Sequence, residues 1–208
     1  MKTKLTTLVF LLGVCILFSG CYPYSTAYVE ELDIVITDYD AAYTFKGHPK
    51  YAIADSIVKV TGNRIEGEPP VCVKEPYSSM ILNRMKSNMT ALGYTEVNAT
   101  DPDVDLLLFP AALETTYQQY YYDYYYYWGW YYPYSGGWYY PYATVTTYTT
   151  GTLLMNLVAA GEISASGNMH IVWTGLINGV LDYYGTDGDA RLTKAIDQSF
   201  SQSDYLHQ

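Results

Sequence analysis

The chain has 208 residues, half of them hydrophobic, with 21 acidic against 11 basic side chains and a formal net charge of −10. Enough apolar surface is present for a core, which excludes wholesale disorder, and the acidic balance excludes nucleic acid, whose phosphates need Lys and Arg. One residue type is far out of proportion: 26 Tyr stand against 5 Phe and 4 Trp.

The first twenty residues read as an address. Lys2 and Lys4 precede a nearly unbroken apolar run from Leu8 to Phe18, followed by Ser19-Gly20-Cys21. A basic start, a hydrophobic stretch of about 7–15 residues and small residues at the cut describe a secretory signal. A membrane-spanning helix needs about 20 apolar residues, and this run is shorter. Phe18-Ser19-Gly20-Cys21 resembles the lipobox of bacterial lipoproteins, with Phe18 where Leu is usual. The resemblance implies a diacylglycerol on the Cys21 thiol, cleavage before it, and acylation of the new amino group by a chain such as palmitate. Tyr22 in place of Asp then implies the outer membrane, and the lack of an acidic tract just beyond Cys21 implies its periplasmic face. Two or three acyl chains hold firmly where one is marginal, each buried methylene contributing about 0.8 kcal/mol. Residues 1–20 are read as signal peptide, 21–31 as tether and 32–206 as one domain. With Cys15 lost and Cys21 lipidated, Cys72 remains alone, so no internal disulfide is expected. Between Val71 and Val73 it is expected as a small buried hydrophobe.

Within the domain, Leu32 to Thr37 and Tyr51 to Val60 are β-branched and aromatic runs that predict strands, joined through the turn chemistry of Lys46-Gly47-His48-Pro49. Residues 61–76, with two glycines and three prolines, predict an irregular connection. Ile81, Met85, Met89 and Leu92 recur at helical spacing, with Ser78 placed as N-cap and Gly93 as the glycine that follows a helix end. Tyr94 to Val97 is extended, and Asp103 to Leu113 is an apolar strand behind an acidic start. Ala143 to Ala160 and Met169 to Leu181 predict two long strands. Leu192, Ala195, Ile196, Ser199 and Phe200 mark one face of a closing helix capped by Asp189. The order β-β-α-β-β-(aromatic segment)-β-β-α predicts an α+β two-layer sandwich. Its sheet would be mainly antiparallel, with two helices on one face and a Tyr-rich hairpin or loop insertion.

That insertion spans residues 117–142 and holds 14 Tyr and 3 Trp, with Asp123 its only charge. Gly129, Pro133, Gly136, Gly137 and Pro141 break it, and every tyrosine hydroxyl needs a partner, so a membrane span is excluded. A folded-back segment turning at Ser135-Gly136-Gly137 is expected. Its aromatics either pave the uncovered sheet face, form a binding platform, or sit at a membrane interface. As a platform, the binding residues would be Tyr125, Tyr127, Trp128, Trp130, Tyr132, Trp138 and Tyr140. The partner would be an envelope protein, or an envelope glycan whose sugar rings suit flat aromatic rings bearing hydroxyls.

Several stretches resemble a family of bacterial lipoproteins known only as a domain of unknown function, number 4136. They are Leu32 to Asp40, Thr44-Phe45 leading to Lys50 through Asp55, Gly151 to Leu154, Val172 to Ile177, Ala195 to Phe200 and Gln202 to Leu206. Together they cover most of residues 30–206. The resemblance implies a compact α/β sandwich on a lipid tether and brings no catalytic residue with it.

Motifs for chemistry are few. His48, His170 and His207 have no metal-binding spacing, no serine sits in a nucleophile elbow, and no Gly-rich turn precedes a Lys-Ser/Thr pair. Asp101-Pro102-Asp103-Val104-Asp105 opens like a calcium loop, but Leu106 stands where that loop needs Gly, so a solvated strand start is expected. Asp55-Ser56-Ile57 resembles an O-glycosylation triplet of some Gram-negative bacteria, on a strand that would hide Ser56. The expectation is therefore a non-enzymatic, outer-membrane lipoprotein without cofactor or metal. Its attachment is the N-terminal lipid and its binding or bracing partner another envelope component. An envelope glycan-binding module is the alternative.

Overall fold

The computed structural model describes residues 34–45, 47, 49–61, 68–114, 151–162, 169–181 and 188–207. The chain divides into two units, Met1–Glu31 and Leu32–Gln208, and all described residues belong to the second. In chain order they form β1 (Ile34–Tyr39), β2 (Lys50–Ile53), β3 (Val58–Val60), α1 (Tyr77–Ala91), β4 (Thr95–Glu96), β5 (Leu106–Leu113), β6 (Thr152–Ala159), β7 (Ile171–Asn178) and α2 (Gly188–Ser201). Short 3₁₀ turns follow β6 and α2. One sheet takes the order β1-β7-β6-β5-β2-β4, with β3 also beside β5.

The element order follows the expectation, and so does the α+β layering, with two differences in the strands. The antiparallel half is β1-β7-β6-β5. However, β2 and β3 pair parallel with β5, and β2 pairs parallel with β4, because α1 carries the chain back across the sheet before β5 begins. The predicted strand over 51–60 is also interrupted. β2 pairs with Leu106 to Leu108 and β3 with Ala111 to Leu113, so the break lies opposite Phe109-Pro110. Proline has no N–H to give a neighbouring strand, and the ladder on that side stops there.

Burial follows strand alternation. Leu106, Leu108, Leu153, Met155, Leu157, Trp173 and Ile177 point to the face covered by α1 and α2, where they join Ile81, Met85, Met89, Leu192, Ala195, Ile196 and Phe200. Leu107, Phe109, Ala111, Leu113, Leu154, Val158 and Leu176 form a second buried cluster on the opposite face. Both faces of β5 and β6 are therefore apolar, which is why these strands read as continuous hydrophobic runs.

The helix ends differ in detail from the sequence reading. Ser78 is inside α1 and buried, not its cap; Pro76 precedes the helix, and the Glu75 carboxylate accepts the Ser79 N–H at 3.2 Å. Gly93 takes φ 89°, as a glycine after a helix end should, and the Tyr94 N–H closes onto the Met89 carbonyl. Asp189 lies within the first turn of α2 rather than before it, where its charge still faces the positive end of the helix dipole.

Candidate functional site

Cys21, Tyr125, Tyr127, Trp128, Trp130, Tyr132, Trp138 and Tyr140 lie outside the described residues, as does His48. The roots of the aromatic segment do not. Glu114 leaves β5 and Gly151 enters β6, so the segment joins two neighbouring central strands. Both roots are fixed. The Glu114 N–H donates to the Val60 carbonyl at 2.9 Å, and its carboxylate pairs with the Lys59 amine. At Gly151 the N–H donates to the Leu113 carbonyl and the carbonyl accepts the Leu181 N–H, each at 2.9 Å. Its φ of 77° is the left-handed conformation that glycine takes without steric cost.

Beside these roots lies a cleft of about 380 Å³. Its floor is apolar, with Val73, Ala112, Val180 and Leu192, and its rim carries Lys59, Glu114 and Asp189. Its described lining residues also include Lys74, Glu75 and Tyr77, and hold no Ser, Cys or His. What such a cleft does chemically is accept a flat or apolar group and offer charged hydrogen-bond partners at its mouth.

The opposite end of β5 and β6 holds a second cleft, of about 410 Å³. Here His170, just before β7, faces a carboxylate at each ring nitrogen: Asp40 Oδ2 lies 2.6 Å from Nε2, and Glu162 meets Nδ1. The Tyr43 ring stands edge-on to the imidazole. Burial works to lower the His170 pKa, but the hydrogen bonds and charges of Glu162 and Asp40 outweigh it and raise it above the ordinary value. Asp40 is held below the usual carboxylate range, first by the Ala42 N–H and then by His170. With both nitrogens engaged, the imidazole serves as a bridge between carboxylates. The cluster is not legible in the sequence because Asp40 lies 130 residues from His170, and the eight-residue spacing of Glu162 and His170 matches no motif.

The remaining candidates resolve simply. Asp101, Asp103 and Asp105 collect Lys50 at the start of β2: the first two pair with its amine, and Asp105 Oδ2 accepts its backbone N–H at 2.9 Å. This is the expected strand start, and among the described residues no group of three or more ligands fits a metal ion. Ser56 lies half-buried in the bend between β2 and β3, not on a strand, with its hydroxyl donating to Asp55 Oδ1. Cys72 is half-buried rather than buried, because it sits in the segment that bridges to Val58 at the margin of the sheet.

Residues 35–203 match the family described as Domain of unknown function (DUF4136). The chain belongs to this family. A DUF4136 family protein from Bacteroides thetaiotaomicron VPI-5482, of known crystal structure, is similar at 28% identity and a TM-score of 0.67, over 84% of this chain and 97% of that one. The PelC dodecamer from Paraburkholderia phytofirmans is similar at 13% identity and a TM-score of 0.40, again over 84% of this chain and 97% of that one. Among curated proteins, none matches.

Proposed function

We propose that this DUF4136 protein is a lipid-anchored, non-catalytic envelope protein of the outer membrane, facing the periplasm, whose aromatic segment contacts another envelope component. The observation that carries this reading is the placement of the segment's roots. Thirty-six residues, 115–150, leave and re-enter the chain between two strands buried on both faces, with each root tied by backbone hydrogen bonds. Binding residues are commonly carried on segments positioned by a rigid scaffold, and Tyr and Trp bury much area at little entropy cost. The signal-like residues 1–20 and Cys21 support the anchor, and the acidic body leaves the lipid as the evident hold on an anionic membrane.

Replacing residues 117–142 by a short Gly-Ser turn tests the contact. The β5–β6 pairing should keep the domain folded by circular dichroism, while cross-linking to envelope partners in cells is lost. A folded variant with every cross-link intact would contradict the reading. A second reading, a glycan-binding module, is favoured by the density of aromatic rings with hydroxyls. It predicts that peptidoglycan fragments or lipopolysaccharide sugars quench or shift the fluorescence of Trp128, Trp130 or Trp138, and silence across such a panel would remove it.

A further inference from the structure

Asp55 is the only aspartate in the chain followed by Ser or Thr, and Asp55-Ser56-Ile57 resembles an O-glycosylation triplet. Such a motif carries weight only in the right structural setting: a surface hydroxyl on backbone that another protein can reach. A strand would deny it that setting, and the fold provides it. β2 ends at Ile53 and β3 begins at Val58, and Asp55 and Ser56 form the bend between them, outside the ladder onto β5. Ala54 is buried before the bend and Ile57 after it, where the Ile57 carbonyl also accepts the Val73 N–H at 2.8 Å. Between these anchors Asp55 is exposed and Ser56 half-buried, so the first two residues of the triplet face outward. The hydroxyl is oriented as well. Its hydrogen goes to Asp55 Oδ1 at 3.1 Å, and among the described residues no donor meets its oxygen, so both lone pairs remain. The other described serines differ. Ser78, Ser199 and Ser203 are buried, Ser79 lies within α1, and Ser87 and Ser201 turn their hydroxyls back to helix carbonyls.

We propose that Ser56 is an O-glycosylation site, its hydroxyl taking a sugar from a polyprenyl-diphosphate-linked donor through a glycosyltransferase of the envelope. Ser56 Oγ attacks the anomeric carbon of the donor. The bond from that carbon to the diphosphate breaks with its electron pair on the diphosphate oxygen, and the hydroxyl proton leaves along its hydrogen bond to Asp55. The transferase reads Asp55 and Ser56 at the surface, while buried Ile57 fixes where they stand. The site rests on the envelope reading above, in which the chain lies beyond the cytoplasmic pool of nucleotide sugars and meets a lipid-borne donor instead. A bulky, solvated sugar at this bend points away from both buried clusters and leaves the strand ladders untouched.

The test uses the full chain, purified in mild detergent from the cells that naturally produce it and digested with trypsin. Cleavage after Lys50 and Lys59 releases Tyr51–Lys59, in which Ser56 is the only Ser or Thr. In wild type this peptide should carry the mass of one or more sugar residues, released by mild alkali through β-elimination, which a sugar on the Tyr51 phenol does not undergo. Ser56→Ala and Asp55→Asn should give the bare peptide, and Ser56→Thr should keep the sugar, all at an unchanged circular dichroism spectrum. A bare wild-type peptide would overturn the site, and sugar that persists in Asp55→Asn would overturn the part assigned to Asp55. The Cys21 peptide of the same digest separates this failure from that of the envelope reading. Acyl mass on Cys21 beside a bare Ser56 peptide removes the glycosylation site alone, whereas both peptides bare removes the two together.

Discussion

His170 joins three stretches of chain that the fold brings together: the turn after β1 through Asp40, the 3₁₀ turn after β6 through Glu162, and the start of β7. Its folded pKa lies above that of an unfolded histidine, about 6.5. The stabilisation is therefore fully present below about pH 6.5 and is lost as pH rises through the folded value. Replacement by Gln should lower the melting temperature more at pH 5 than at pH 9, and an equal loss at both would show that the ring's charge does not contribute. Asp197 acts in the other direction. Burial raises its pKa, but Arg84 and Asn88 outweigh that and lower it, so its contribution is present above the ordinary carboxylate pKa and is lost on acidification through the folded value. Neither cluster is legible in the sequence. Asp40 and His170 are 130 residues apart, Arg84 and Asp197 are 113 apart, and nothing local marks one as the other's partner.

At the scale of elements, periodicity carried most of the information. Ile81, Met85 and Met89 on α1, and Leu192, Ala195, Ile196, Ser199 and Phe200 on α2, are buried as their spacing predicts. Arg84 of α1 meets Asp197 of α2 with two hydrogen bonds, which holds the helices side by side over one sheet face. The parallel pairing of β2 and β3 was not legible, because strand patterns state which residues are buried but not which way a neighbour runs. Pro110 does announce a break in the ladder, but only once β5 is known to lie beside β2 and β3. Packing on β7 is close enough to measure. A Cβ added at Gly175 would lie 2.7 Å from Trp173 Cη2 and 2.9 Å from Met155 Cε. The methionine end can give, but Trp173 is fully buried, rests on Phe200, and donates its Nε1–H to Ser203 Oγ at 3.0 Å. Gly175→Ala should cost about 1–3 kcal/mol in urea denaturation, and a stabilised variant would contradict this account of the core.

For the whole molecule, composition alone marks the aromatic segment on which the proposed contact rests. A stretch dense in Tyr and Trp with a single charge, Asp123, stands out without a fold, and the fold adds where it is rooted: between β5 and β6, beside a cleft with an apolar floor and charged rim. The exposure of β1 was not legible in the same way. Ile34 and Ile36 belong to the run that predicts a strand, and only the sheet order places that strand at a margin, where they are exposed. The contact proposed above requires that the chain be delivered to the envelope and held there, and in that proposal the hold is the lipid on the Cys21 sulfur. The most direct test is the intact mass of the chain recovered from membranes of a Gram-negative host. The account predicts a mature protein that begins at Cys21 and carries the mass of two or three acyl chains, and a Cys21→Ser variant without that mass that leaves the membrane fraction. A wild-type chain beginning elsewhere, or one held on the membrane with no acyl mass, would contradict it.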